Sequence, residues 1–392
     1  MFTIQMLDKI SPLGLDMLSG DLYELLTEAS NPDAVLVRSF NMLERELPEK
    51  LKAIARAGAG VNNIPIDRCT DRGIVVFNTP GANANGVKEL VLTSLFLSSR
   101  RIVQGINWAQ SLKSEGDAVP KLVEKGKSKF EGPEIKGKQL GIIGLGAIGA
   151  MVANDAVALG MNVVGYDPFI SVDAAWGLSS CVIRETSLDR LLATSDYITV
   201  HVPLDGKTKG LFNKDKFAIM KKGIRIVNLA RGGLVVNQDL LAALEDGTVA
   251  CYVTDFPEAD LLGNDKVIPI PHLGASTPES EENCAMMAVK QLRDFLEKGN
   301  IKNSVNFPNV ALELSGNIRL TITNINIPNM VGQFTTALAE NKINISDIVT
   351  HHKDNIGYSI IDIEGNLTPE VVQRIRKIEG VKTVRVIQNG NY

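Results

Sequence analysis

The chain has 392 residues, 44% hydrophobic and 22% charged, a soluble globular balance that leaves little room for long disorder and, at about 150 residues per domain, predicts two or three domains. Lysine and arginine number 41 against 45 acids, giving a net charge of -4 with no block of like sign, which argues against a nucleic-acid surface. No apolar run approaches the roughly 18 residues of a membrane helix, and the start MFTIQMLDKI lacks the pattern of a leader, so no membrane contact is expected and a cytoplasmic location is.

In chain order, FTIQM (2–6), AVLVR (34–38) and GIVVFN (73–78) read as strands with helical segments between them, the alternation of a parallel α/β sheet. From Asn85 to about Leu112 the pattern predicts one long helix, bridging two domains. The Gly/Lys-rich stretch 114–138 then reads as an exposed excursion. A second α/β run follows, with apolar strands at 140–144, 162–167, 197–203, 224–230 and 249–255. Strands this apolar on both faces belong in a parallel sheet covered on each side. The amphipathic stretch from Thr277 to Lys298 is expected to pack back on the first domain, making that domain discontinuous. Residues 318–390 read strand, helix, strand, strand, helix, strand, a βαββαβ unit large enough for an independent module. Cys69, Cys181, Cys251 and Cys284 form no CxxC pair, so they read as reduced thiols with neither a metal site nor a disulfide framework.

Gly144, Gly146 and Gly149 make a GxGxxG that follows a strand and opens a helix. The first glycine permits the turn, the second lets backbone approach a pyrophosphate, and the third lets helix and strand pack closely. Asp167 ends the next strand, 23 residues after Gly144, where ribose hydroxyls are held. No arginine or lysine follows it in Pro168 to Ser171, so NAD is favoured over NADP.

Two histidines lie in the α/β body. His201 ends a strand and reads as structural or cofactor-lining. His272 follows a strand end in IPIPHLGAST, where open α/β sheets place ligands. Arg231, at the end of another apolar strand, is suited to clamp a carboxylate. Asp255, Glu258 and Asp260 lie between them in sequence. An acid beside His272 would raise its basicity and fix its tautomer, as proton transfer requires.

With these motifs in order, the chain resembles the D-2-hydroxyacid dehydrogenase family, and within it the branch that ends in an ACT module and acts on 3-phospho-D-glycerate. The resemblance rests on GIIGLGAIG, the Asp167 strand end, HVPL, NLARGG, PHLGAST and the terminal unit. It implies a Rossmann-type NAD-binding domain (96–284), a discontinuous flavodoxin-like substrate domain (1–95 and 285–305), and an ACT-like, ferredoxin-like module (317–392). Cofactor contacts would fall on Ala147, Ile148, Asp167, Leu229, Ala230, Asp255, Gly274 and Ala275. Arg231 and backbone near Gly81, Ala82 and Asn83 would hold the substrate carboxylate, and Arg38 and Ser39 its phosphate. The resemblance also implies an acid paired with His272. Ungapped alignment puts it at Asp260, whereas Glu258 needs a two-residue deletion. Asn324, Asn326 and Asn344 match positions that bind L-serine as effector in family members that sense it, the alternative being a purely structural, dimer-building module, and a homo-oligomer is expected. The alternatives are a reductase of unphosphorylated 2-keto acids and a non-catalytic dinucleotide sensor.

Overall fold

The computed structural model describes residues 1–18 and 20–388. The chain forms two compact units, one made of Met1–Asn83 with the chain from Pro278 onward, the other of Ala84–Thr277. The expected boundaries at 95/96 and 284/285 therefore shift. Helix Ala84–Ser99 buries Val87, Val91 and Leu95 in the second unit, whereas helix Pro278–Lys298 buries residues from Cys284 to Leu296 in the first. The end of the 317–392 module, residues 389–392, lies outside the described residues.

The first unit opens with five parallel strands, β1 (Phe2–Met6), β2 (Tyr23–Leu26), β3 (Ala34–Val37), β4 (Ala53–Arg56) and β5 (Val75–Phe77), in the order β2-β1-β3-β4-β5. Successive side chains serve two different cores. Ala34, Leu36, Ala53, Ala55, Val75 and Phe77 pack with helix Pro278–Lys298, while Val35, Val37, Ile54 and Val76 pack with Cys69 and Leu51 on the other face. Strands β2 (YELL) and β4 (AIAR) carry few β-branched residues, so they did not stand out in the sequence.

The second unit holds seven parallel strands: β6 (Gln139–Ile143), β7 (Asn162–Tyr166), β8 (Ile183–Arg184), β9 (Tyr197–Val200), β10 (Ile224–Asn228), β11 (Val249–Thr254) and β12 (Val267–Pro269). Their order is β12-β11-β10-β9-β6-β7-β8. The order reverses between β6 and β9, so the loops after these two strands diverge and leave a crevice at the carboxyl edge.

Two expectations are corrected here. The helix expected over 85–112 is two, Ala84–Ser99 and Ile102–Ser111. The hydroxyls of Ser94, Ser98 and Ser99 donate back to carbonyls of the preceding turn, at 2.7, 3.0 and 2.6 Å, and such back-bonding bends and ends helices. The excursion 114–138 contains helix Val119–Gly126, with Pro120 in its first turn, where its missing N–H has no intrahelical role.

The terminal module is a four-stranded antiparallel sheet of β13 (Ile318–Ile325), β14 (Asn344–Lys353), β15 (Ile356–Glu364) and β16 (Val381–Gln388), ordered β14-β15-β13-β16. Helices Met330–Ala339 and Pro369–Arg376 cover one face through Phe334, Leu338, Val371 and Ile375. The other face is not free. Ile356, Tyr358 and Ile360 join the core built on helix Pro278–Lys298, and Tyr358 OH donates to Gly299 O at 2.7 Å. Beside them Arg319 and Asp362 form a fully buried ion pair, and Arg319 also donates to the carbonyls of Lys298, Leu312 and Glu313. Among the described residues no helix is long and apolar enough to cross a membrane.

Candidate active site

The carboxyl edge of the seven-stranded sheet carries the residues singled out in the second unit. After β6, Gly144 adopts φ 90°, and a Cβ there would lie 2.5 Å from His201 O. A Cβ on Gly149 would fall 1.9 Å from Gly144 O, so helix Ala147–Ala158 can sit this close to the turn only through a glycine. Nothing lies within 4 Å of the Gly146 position, and Gly146 and Ala147 are exposed, whereas Ile148 is half-buried. The helix start thus presents accessible amides to an anion. Asp167 Oδ2 accepts from Leu145 N at 2.8 Å and Oδ1 from Phe169 N at 2.8 Å, which fixes the carboxylate against the glycine turn with lone pairs to spare.

His201 Nε2 lies 3.0 Å from Thr199 Oγ1, and its Nδ1 is buried without a partner. Burial pushes its pKa down to about 4, so the ring is neutral near pH 7. That state suits a lining residue.

The turn after β10 is built by Asn228, a fully buried side chain that sequence reasoning missed. Its Oδ1 accepts from Ala230 N and Arg231 N, and its Nδ2 donates to Arg231 O at 2.8 Å and to Tyr252 OH at 3.1 Å. A buried amide can satisfy this tight turn as an apolar side chain cannot. Arg231 is held exposed, with Nη1 donating to Ala230 O at 2.6 Å, while Leu229 is buried behind it.

Asp255, 2% exposed, follows β11. Burial raises its pKa, opposed by attraction to His272, by its own amide and that of Gly274, and by Arg231. Its Oδ1 has no partner, leaving a buried acceptor for a ligand N–H. Gly274 packs beside this carboxylate, and a Cβ on it would lie 3.4 Å from Asp255 Oδ2, an ordinary van der Waals contact. His272 is exposed, its ring 4.6 Å from that of Phe256, and Ala275 follows half-buried. Arg231, Asp255 and His272 are thus brought into one electrostatic neighbourhood.

Both candidate acids are exposed and bound by one amide. Asn237 Nδ2 donates to Glu258 Oε2 at 3.0 Å and to Asp260 Oδ1 at 3.1 Å. Among the described residues no hydrogen bond joins either acid to His272. Glu258 Oε1 would lie 3.3 Å from a Cβ on Gly232, next to Arg231.

In the first unit, the amides of Arg38, Ser39 and Phe40 all donate to Asp8 Oδ2, at 2.7, 3.1 and 3.1 Å. Arg38 Nη2 pairs with Glu281 Oε1 at 2.6 Å. The expected phosphate contacts are therefore already engaged within the chain. Arg56, at the end of β4, donates through Nε to Arg38 O at 3.0 Å, a second cation the sequence reading did not select. After β5, Gly81 takes φ 82° and Ala82 N donates to Thr79 O, so the 81–83 loop is a closed turn with Asn83 half-buried.

In the terminal module a cavity of about 210 Å³ is lined by Asn324, Asn326, Asn329, Thr350, His352 and Ser359 among others. Asn324 Oδ1 is buried there without a partner. Asn344 is not brought together with Asn324 and Asn326: it pairs with Glu364 at the far end of β14 from Thr350 and His352, because the long strand carries it away from the cavity.

Residues 92–274 match the family model described as the NAD-binding domain of D-isomer specific 2-hydroxyacid dehydrogenases. A D-3-phosphoglycerate dehydrogenase of Methanocaldococcus jannaschii is 34% identical over 335 residues, covering 83% of this chain and 61% of that protein. One of Bacillus subtilis is 35% identical over 326 residues, 79% of this chain and 59% of that protein. The chain thus spans about three-fifths of these relatives' length. Among solved structures, NAD+-bound 3-phosphoglycerate dehydrogenase of Entamoeba histolytica superposes with TM-score 0.60 at 26% identity, covering 78% of this chain and 98% of that one. D-lactate dehydrogenase of Aquifex aeolicus, complexed with NAD and lactic acid, gives 0.58 at 26% identity, covering 78% and 100%. The glycine turn, the Arg231–Asp255–His272 neighbourhood and these likenesses agree: residues 92–274 form an NAD-binding domain of the D-isomer specific 2-hydroxyacid dehydrogenase type.

Proposed function

We propose that the chain oxidises 3-phospho-D-glycerate to 3-phosphohydroxypyruvate with NAD, the entry step of serine synthesis. The observation that carries this reading is the grouping of Arg231 and His272 around the buried Asp255 carboxyl, at the edge of the sheet whose glycine turn suits NAD. Arg231 uses one N–H on Ala230 and keeps others for a substrate carboxylate. The exposed His272 imidazole takes the C2 hydroxyl proton, and the negative charge near it steadies the imidazolium that results. NAD, when bound, supplies the hydride acceptor. Leu229, Ala230, Gly274 and Ala275 would line it, and Asp255 Oδ1 would accept an N–H from it. Asp260 and Glu258 remain the two candidates for the acid that orients the histidine, and the nearness of the Glu258 carboxylate to Gly232, next to Arg231, supports Glu258.

One observation favours a second reading, an unphosphorylated 2-hydroxy acid as substrate: Arg38 and its neighbouring amides are already engaged by Glu281 and Asp8. NADH absorbance with 3-phosphoglycerate, D-glycerate and D-lactate separates the two. The first reading expects the phosphorylated substrate to have the highest kcat/KM, and His272→Gln to lose about 100-fold or more in kcat with NAD affinity kept. Absence of turnover with 3-phosphoglycerate at any pH overturns it. The terminal module is read as an ACT-type module whose Asn324 cavity takes L-serine, and adding L-serine to the same assay reads that directly. Edge strand β14, unpaired by the described residues on its outer side, supports self-association into a homo-oligomer.

A further inference from the structure

We propose that Glu281 is a specificity-determining counter-ion for the substrate's tail: it neutralises Arg38 in the free chain and is displaced by a ligand whose tail is a phosphate dianion. This rests on the reading that Arg38 faces the phosphate end of the substrate.

The backbone around Arg38 has no freedom to discriminate. Its amide and the next two are held by Asp8, and its carbonyl accepts from Arg56 Nε at 3.0 Å and Asn63 Nδ2 at 3.4 Å. Recognition falls to the guanidinium. That group is 38% exposed and pairs at 2.6 Å with Glu281, itself 47% exposed, in the first turns of helix Pro278–Lys298. An ion pair this open to water is weak and easily exchanged.

The surrounding side chains converge on the same spot. Cys284, three residues beyond Glu281, is buried and feels the charges of Arg38, Arg56 and Glu281. With Glu281 in place, the Arg38 and Arg56 cations are balanced by the Glu281 and Asp8 carboxylates, and Glu281 is the one of the two that pairs with the guanidinium of Arg38. A phosphate monoester carries between one and two negative charges near neutral pH and bonds a guanidinium bidentately, so it exchanges for the carboxylate. A neutral tail has nothing to offer Arg38 and leaves the pair intact. Glu281 therefore costs a phosphorylated ligand some affinity and costs an uncharged tail none.

The experiment compares wild type, Glu281→Gln, Arg38→Gln and the double variant as NAD-loaded full chains, titrated calorimetrically with inorganic phosphate at fixed ionic strength. Glu281→Gln is expected to bind phosphate about three- to fivefold tighter than wild type. The gain should vanish in the Arg38→Gln background. In turnover, the KM for 3-phosphoglycerate should fall by a similar factor and that for D-glycerate stay unchanged. Equal phosphate affinity in wild type and Glu281→Gln, or a gain that persists without Arg38, overturns the proposal. The titration needs no turnover, so an enzyme inactive on 3-phosphoglycerate would overturn the functional reading, while the phosphate affinities alone would still decide the role of Glu281.

Discussion

His201 shows how one side chain's surroundings become a pH dependence. Unfolded, its imidazole titrates near 6.5, and burial lowers that to about 4 in the folded chain. Between these values the unfolded chain binds a proton that the folded chain refuses. The stabilisation is therefore fully present above pH 6.5 and is lost as the pH falls towards 4. Chemical denaturation at pH 7 and pH 5 should show wild type losing about 2 kcal/mol more than His201→Gln over that interval. Parallel losses would mean that the ring is not sealed from protons. The histidine itself was legible in the sequence, but its tautomer and unpaired Nδ1 were not, because they depend on Thr199 and on helix Ala147–Ala158 closing over it.

At the scale of elements, the glycine turn separates two roles that the motif merges. Gly149 sits where helix meets strand, and Gly146 faces open space. Gly149→Ala should destabilise the chain by about 1–3 kcal/mol, read as a fall in Tm, because backbone must shift to admit a methyl group. Gly146→Ala should keep Tm and lose most NAD affinity, read by fluorescence titration. Wild-type affinity in Gly146→Ala would remove this turn from the dinucleotide site. The same scale holds the helix break at Arg100 and Arg101: apolar periodicity runs straight through it, while in the last turn before it the hydroxyls of Ser98 and Ser99 bond back to Leu95 O.

For the whole molecule, the terminal module is built into the unit that contains the first sheet. Tyr358 and Ile360 share a core with Leu292, Phe295 and Leu296, and Arg385 donates to Phe295 O and Leu296 O. Large apolar side chains of this kind contribute roughly 1.5–3 kcal/mol each when buried. Truncation after Ser315 should therefore uncover the helix, lower Tm and promote aggregation, as followed by light scattering and dye binding. A truncated chain that stays monomeric with unchanged Tm would mean the module is an independent appendage.

The amino-acid order alone determined the two parallel-sheet runs, the terminal βαββαβ unit, the glycine turn and the candidates Arg231 and His272, because strand hydrophobicity and turn chemistry are local properties. Tertiary structure alone decided which acid Arg231 and His272 lie beside, that Arg38 is already neutralised by a residue 243 positions away, and that Asn344 stands apart from Asn324. Those outcomes depend on which strand ends and helix turns meet in space, and no local pattern encodes the charge or hydrogen-bond partner that a distant segment brings.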